Sequence, residues 1–504
     1  MFDIKWRKGE LTLLTSTEVK VFNNLVNGKQ TQGATGDMLE SIDPSTGVVW
    51  AKVPRSTKED VETIVTTARN AFPSWASLSS AVRADYMRRI GDLISKHRDE
   101  LSALETKGTG WVIRETSYGL IPALEQIWYD AAGAATEGSE GETVQMGPSS
   151  FGFTLREPLG VVLGITPWNS PLFTFTIKAA YALAAGNTVI IKPSEHAAES
   201  SLRYGELLSE ILPQGVLNVI SGLGSEIGDA LVRHKEINKI SLTGSGTTAK
   251  AIALAVAENP KPLILELGGK SPNIVFEDAN LDKAVDGLIG SIYTGNAGQL
   301  CVGGSRILIH RSIFEDMLTR LKEKVLDKET TRLGDPLNPE STMGPIANLA
   351  QYEKVQSYIE LGIEEGAEIV FGGKYGADAL QSDQSQFSNG YWVEPTLLKV
   401  DSNSLRICQE EIFGPVATVM PFDTDEEAVA IANDSAFGLG AGIWTTNLSR
   451  AHQMIRKITS GNVWVNTYGR VEPGLPFGGF KESGYGTDTI LEYSHKKACV
   501  IELE

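Results

Sequence analysis

Three residue types far apart in the chain have the chemistry of a covalent acyl-transfer centre. Cys301 lies in Gly298-Gln299-Leu300-Cys301-Val302-Gly303-Gly304-Ser305-Arg306. A cysteine after a glycine-containing turn and ahead of a strand can present its sulfur in a cleft, whereas a structural thiol usually sits inside an apolar run. This segment alone leaves nucleophile and buried structural thiol equally open. Glu266, in Leu263-Ile264-Leu265-Glu266-Leu267-Gly268-Gly269-Lys270, ends a buried-looking strand, where desolvation would raise a carboxyl pKa toward that of a useful base. Capping a neighbouring element, or pairing with Lys270, is the more ordinary use of such a residue. Asn169, in Ile165-Thr166-Pro167-Trp168-Asn169-Ser170-Pro171, offers amide donors to an oxyanion from a turn stiffened by two prolines. A turn-forming asparagine is the usual explanation of that pattern. Cys408 and Cys499 have ordinary contexts and read as structural thiols.

Two glycine-rich stretches compete for a nucleotide. Gly222-Leu223-Gly224-Ser225-Glu226-Ile227-Gly228 approaches the dinucleotide fingerprint, but its last spacing is one residue too long and no acid follows at the ribose-binding distance. It reads as a strand-to-helix turn. Thr243-Gly244-Ser245-Gly246-Thr247-Thr248 follows a strand and opens a helix, so its N–H groups and hydroxyls suit a pyrophosphate. Lys192-Pro193-Ser194-Glu195 stands at a strand end, where open α/β sheets bind ligands, and Glu195 can accept both hydroxyls of an adenosine ribose.

Positioning such groups requires a parallel sheet. Short β-rich runs at 160–165, 188–191, 217–220, 239–242 and 263–265 alternate with helical lengths, the pattern of a doubly wound nucleotide-binding lobe. Further runs at 273–276, 306–310 and 461–466 predict a second α/β lobe. Amphipathic spacing predicts helices over 58–72 and 81–107, and 375–390 reads as a surface loop.

The 504 residues exceed one hydrophobic core, so two large lobes are expected. A hydrophobic fraction of 41% without a continuous apolar span excludes an integral membrane protein of the helical kind. No secretory leader is evident at the N-terminus, and three widely spaced cysteines suggest neither a disulfide framework nor a metal quartet, so a cytoplasmic protein with reduced thiols is expected. A net charge of -18 argues against nucleic acid or anionic lipid as a general partner.

Together the motifs resemble the aldehyde dehydrogenase superfamily from about Ile42 to the region of Asp488. The resemblance rests on the Pro-Trp-Asn turn, Lys-Pro-Ser-Glu, Thr-Gly-Ser, Glu-Leu-Gly-Gly-Lys, Gly-Gln-Leu-Cys, Glu411-Ile412-Phe413-Gly414-Pro415 and Pro476-Phe477-Gly478-Gly479-Phe480-Lys481-Glu482-Ser483-Gly484, in the family's order and spacing. It implies an oxidoreductase in which thiolate Cys301 attacks an aldehyde, Asn169 and the Cys301 N–H hold the oxyanion, hydride leaves to NAD, and Glu266 activates the water that hydrolyses the thioester. It also implies that Lys192 and Glu195 hold the adenosine ribose, Ser245 the pyrophosphate and Glu411 the nicotinamide ribose, with Phe413 beside the nicotinamide. Ile165, Trp168, Gly224, Gly244 and Leu267 are expected to line the same cleft. Glu195 would repel a 2'-phosphate, which favours NAD while leaving NADP possible.

The implied fold is two doubly wound parallel-sheet lobes plus a small β oligomerisation element. Its divisions are 1–130 and 156–266 for the cofactor, 267–473 for catalysis, and 131–155 with 484–504 as the bridging element of a homodimer or homotetramer. The tail from Lys497 to Leu503 has strand character suited to pairing across a subunit boundary. Three departures from the family stand out. Ser170 and Ile177 replace aromatics common in apolar aldehyde tunnels, implying a wider or more polar pocket. Gly486-Thr487-Asp488 replaces Gly-Arg-Glu, so a relay from Asp488 to Lys178 that tunes the base would be rearranged. Arg470, at the expected substrate entrance, either meets an anionic substrate or is a solvated loop arginine. Two other readings compete: a CoA-acylating relative, which generally lacks a base like Glu266, and a crystallin-like binding protein, which would have lost the nucleophile.

Overall fold

A computed structural model describes residues 18–137, 140–380 and 385–503. The runs of β-branched residues form the first sheet because they are apolar on both faces and become buried on both. Its five central strands are parallel, in the order Leu263–Glu266, Ile237–Thr243, Val161–Ile165, Thr188–Lys192 and Leu217–Val219. Asn24–Val26 and Lys29–Thr31 extend one edge antiparallel, and Gly484–Tyr485 extends the other. Helices Pro171–Ala184, Glu199–Ser209, Gly224–Arg233 and Gly246–Val256 make the connections. Register places Ile165 opposite both Lys192 and Leu242, and Thr243 opposite Glu266, so the strand ends carrying the candidate residues lie in one row.

The second sheet has six parallel strands, Thr396–Lys399, Val416–Phe422, Arg306–His310, Pro272–Val275, Gly440–Trp444 and Asn462–Val465, with Glu368–Phe371 antiparallel at one edge. A third, antiparallel sheet joins Thr143–Gln145, Ser150–Pro158 and Ser494–Glu502. No helix among the described residues is long and apolar enough to cross a membrane.

Several expected boundaries shift. Residues 131–137 belong to helix Ile121–Glu137, whose Ala131, Ala132 and Ala135 pack into the first lobe's core with Phe175 and Tyr204. The strand Ser150–Pro158 runs past the expected limit at 155. On the C-terminal side, Gly484–Tyr485 pairs with the strand that ends at Glu266, and next to it Ser483 O accepts the Leu267 N–H at 3.0 Å. The helix expected over 81–107 breaks at His97 into Ser80–Lys96 and Arg98–Thr109, where His97 leaves helical geometry (φ -104°, ψ 19°) and its ring meets Glu100 at 2.9 Å. Of the loop at 375–390, residues 381–384 lie outside the described residues; the rest includes short 3-10 turns at Gly376–Ala379 and Ser385–Phe387.

Candidate active site

The turn that delivers Cys301 is left-handed at three consecutive residues, Asn296 (φ 45°), Ala297 (φ 49°) and Gly298 (φ 73°). Only glycine fits the third position, since a Cβ there would stand 2.2 Å from the Gly414 carbonyl oxygen. Gln299, fully buried, fastens the turn: its amide donates to the carbonyls of Asn296 (3.1 Å) and Pro345 (3.3 Å) and accepts the Ala347 N–H at 2.9 Å. Cys301 then packs with Leu300, Val302, Leu439, Trp464, Tyr468 and Phe477. The Tyr468 hydroxyl donates to the Val302 carbonyl at 2.7 Å, fixing the peptide that follows the sulfur.

Asn169 meets this turn directly. Its Nδ2 donates to the Gln299 carbonyl at 2.7 Å, and the Asn296 amide donates to the Asn169 carbonyl at 2.8 Å. Glu266 is 4% exposed, and among the described residues neither of its carboxylate oxygens has a hydrogen-bond partner. Burial, reinforced by the Asp488 anion and opposed by Lys178, pushes its pKa well above the usual carboxyl value. The Cys301 thiol is pushed up to about 12, first by burial and then by the charges of Glu266 and Glu411. The thiol and both carboxyls therefore share one electrostatic neighbourhood.

Behind Glu266, Lys178 donates to Asp488 Oδ2 (2.9 Å) and to the Ser241 hydroxyl (2.8 Å). Asp488 also accepts from Ser241 at 2.8 Å and from the Tyr493 hydroxyl. Burial alone would raise its pKa, but the Lys178 charge and these hydrogen bonds hold it below the usual value. The shorter aspartate thus still reaches Lys178, with Ser241 and Tyr493 completing the arrangement.

The expected cofactor residues fall along the row of strand ends. The Thr166 N–H donates to the Lys192 carbonyl at 3.1 Å, which joins the Ile165 strand end to that of Lys192. Lys192 Nζ lies 3.3 Å from Glu195 Oε2, and the Gly224 N–H reaches Glu195 Oε1 at 3.4 Å, so the strand-to-helix turn at Gly224 closes on the same carboxylate. The Gly244 N–H bonds to the Glu266 carbonyl at 3.0 Å. Ser245 caps the helix Gly246–Val256 by accepting the Thr248 N–H, leaving an exposed helix start. Trp168 and Phe413 pack edge to face with ring centroids 5.3 Å apart. Glu411 accepts the Gly269 N–H at 2.9 Å, and a Cβ on Gly268 would collide with its carboxylate. Phe413 is itself left-handed (φ 63°), and Gln351 holds the turn by donating to the carbonyls of Ile412 and Phe413 at 2.8 and 2.9 Å.

Gln351, Asn296, Ser241, Tyr468 and Tyr493 were not legible as site residues, because each acts through a tertiary hydrogen bond that no local pattern announces. Arg470 pairs with Glu472 and is 71% exposed at its side chain, the solvated-loop alternative. No group of three or more potential metal ligands occurs among the described residues.

Residues 31–501 match the aldehyde dehydrogenase family. An NAD+ complex of an aldehyde dehydrogenase from Bacillus cereus superposes with a TM-score of 0.93 at 36% identity, covering 100% of both chains. PnpE from Pseudomonas sp. WBC-3 gives 0.91 at 38% identity over 97% of this chain and 98% of its own. The aldehyde dehydrogenase KauB from Pseudomonas aeruginosa gives 0.92 at 37% identity over 98% and 99%. With its cysteine turn, buried carboxyl and row of strand ends in place, this chain belongs to the aldehyde dehydrogenase family.

Proposed function

We propose that this protein oxidises an aldehyde to the carboxylic acid with NAD, through a thioester on Cys301. The observation that carries this reading is Glu266: a carboxyl with no hydrogen-bond partner, 4% exposed, whose charge acts on the Cys301 thiol. Its raised pKa and the action of its charge on the thiol suit a group that accepts a proton beside Cys301.

The cleft suits the dinucleotide. Glu195, held by Lys192 and the Gly224 N–H, would bind the adenosine ribose and disfavour a 2'-phosphate; the helix start at Ser245 would meet the pyrophosphate; Glu411 would hold the nicotinamide ribose beside Phe413. When bound, NAD supplies the hydride acceptor and a positive ring that favours the thiolate. The Cys301 thiol gives up its proton to water, its Sγ attacks the carbonyl carbon as thiolate, and the Asn169 Nδ2 hydrogen not given to Gln299, with the Cys301 N–H, holds the oxyanion. Once the hydride has left, Cys301 carries a thioester. Glu266 then removes a proton from water, the hydroxide adds to the acyl carbon, and Cys301 departs as thiolate with release of the acid.

Hydrolysis is favoured over acyl transfer to CoA by the presence of Glu266, whose charge acts on the Cys301 thiol. The lobes divide into a cofactor part and a catalytic part of about 267–473. In the third sheet, Ser494–Glu502 is an edge strand whose Val500 and Ile501 are exposed, which supports a homodimer or homotetramer. Three free cysteines fit a cytoplasmic protein. Cys301→Ala should abolish NADH formation across a panel of aldehydes, with free acid forming without CoA in the unaltered enzyme. NADH formation unchanged in Cys301→Ala refutes the assignment.

A further inference from the structure

We infer that Asn296 is a positioning residue: from a left-handed backbone it clasps the Asn169 loop to the nucleophile turn and so aims the amide that meets the oxyanion. This rests on the aldehyde-oxidising reading above. The clasp is reciprocal. Asn296 Nδ2 donates to the Asn169 carbonyl at 2.8 Å, while Asn169 Nδ2 donates to the carbonyl of Gln299, three residues after Asn296, at 2.7 Å. On its other side the Asn296 N–H points to Glu115 Oε2 at 3.3 Å, and its carbonyl receives the Gln299 amide at 3.1 Å. Asn296 is 3% exposed, so water cannot replace these partners.

The residue type answers two demands at once. Asparagine adopts positive φ more readily than other side-chain-bearing residues, which φ 45° requires, and its amide is a donor of the length needed to reach a neighbouring carbonyl. Asn169 spends one amide hydrogen on Gln299, leaving one for the oxyanion. The direction of that hydrogen depends on where the main chain of Asn169 is held, and among the described contacts of that carbonyl Asn296 is the side chain holding it. Oxyanion donors are effective only when aimed before charge develops, so loosening the clasp should weaken the acylation step and leave thiol chemistry that makes no oxyanion intact.

Two variants separate the clasp from the backbone. Asn296→Gly keeps the left-handed conformation and deletes the donor; Asn296→Asp is isosteric, tolerates the conformation and, assayed at alkaline pH where its carboxyl is ionised, cannot donate to a carbonyl. The readouts are the first-turnover NADH burst with saturating aldehyde and NAD, and the rate at which iodoacetamide alkylates Cys301, each with a melting curve. The expected result is a burst slowed about tenfold in each variant that folds, part of the loss on deleting an oxyanion donor outright, with alkylation within about twofold of the unaltered enzyme. A burst within twofold of the unaltered enzyme, or alkylation slowing in step with the burst, overturns the inference. Absence of NADH formation by the unaltered enzyme with every aldehyde of a panel would instead overturn the aldehyde-oxidising reading on which it rests.

Discussion

Glu266→Gln separates the two halves of the proposed reaction. The side chain keeps its size and loses only its ability to take a proton. Because neither carboxylate oxygen is hydrogen-bonded among the described residues, the substitution breaks no hydrogen bond between them. General-base catalysis contributes typically about 10²–10⁴-fold, or about 3 to 5 kcal/mol of barrier, and here the whole of it falls on thioester hydrolysis. Stability should move the other way. The folded-state pKa of Glu266 is raised, so the folded protein binds that proton more tightly than the unfolded chain, and the wild-type residue costs stability increasingly as pH rises through its folded pKa. The variant should therefore be at least as stable as the unaltered protein, with the difference growing in its favour toward alkaline pH. Rapid mixing with saturating aldehyde and NAD should give a near-stoichiometric NADH burst followed by a steady rate lower by about two orders of magnitude or more. Equal loss of burst and steady rate, or a variant markedly less stable at alkaline pH, would refute the role given to Glu266.

Three further outcomes follow from the same electrostatics. Asp488→Asn removes an anion that raises the Glu266 pKa, so the acid limb of the steady-state rate should move to lower pH; an unmoved or raised limb counts against coupling between the two. Glu199 is buried, and burial raises its pKa from 4.5 to about 7, so its ionisation costs the folded state about 3 kcal/mol at pH 8 and nothing below the unfolded value. Denaturant unfolding of Glu199→Gln should show a gain approaching that size at pH 8 that vanishes near pH 4, and a gain independent of pH would refute it. Glu195→Gln removes the charge facing a 2'-phosphate, and the ratio of kcat/KM with NADP to that with NAD should rise about tenfold, a loss of roughly 1.4 kcal/mol in discrimination; an unchanged ratio would place cofactor choice elsewhere.

Much of the first lobe was legible because its strands are continuous apolar runs. The runs at 188–191 and 263–265 became Thr188–Lys192 and Leu263–Glu266, each ending on a polar residue that the notation of hydrophobicity alone stops short of. Helix and element boundaries were less legible where tertiary contact decides them. The resemblance puts residues 131–137 in the bridging element, while in the fold they continue a helix whose alanines cluster with Phe175 and Tyr204. The break at His97 likewise involves no proline or glycine: His97 leaves helical geometry and its ring meets Glu100.

Sequence by itself determined which atoms could react: one thiol in a glycine-rich turn, one carboxyl at a strand end, one amide between prolines, and a glutamate after Lys192 for a ribose. Residue type and local spacing suffice for that, since nucleophilicity and hydrogen-bonding capacity belong to the side chain. Tertiary structure alone decided how those atoms are held. Burial without a hydrogen-bond partner raises Glu266, Asp488 finds Lys178 across 310 residues of chain, and Asn296 clasps Asn169 across 127. Desolvation and long-range hydrogen bonds depend on what the folded chain packs against a group, and no local pattern of residues specifies that.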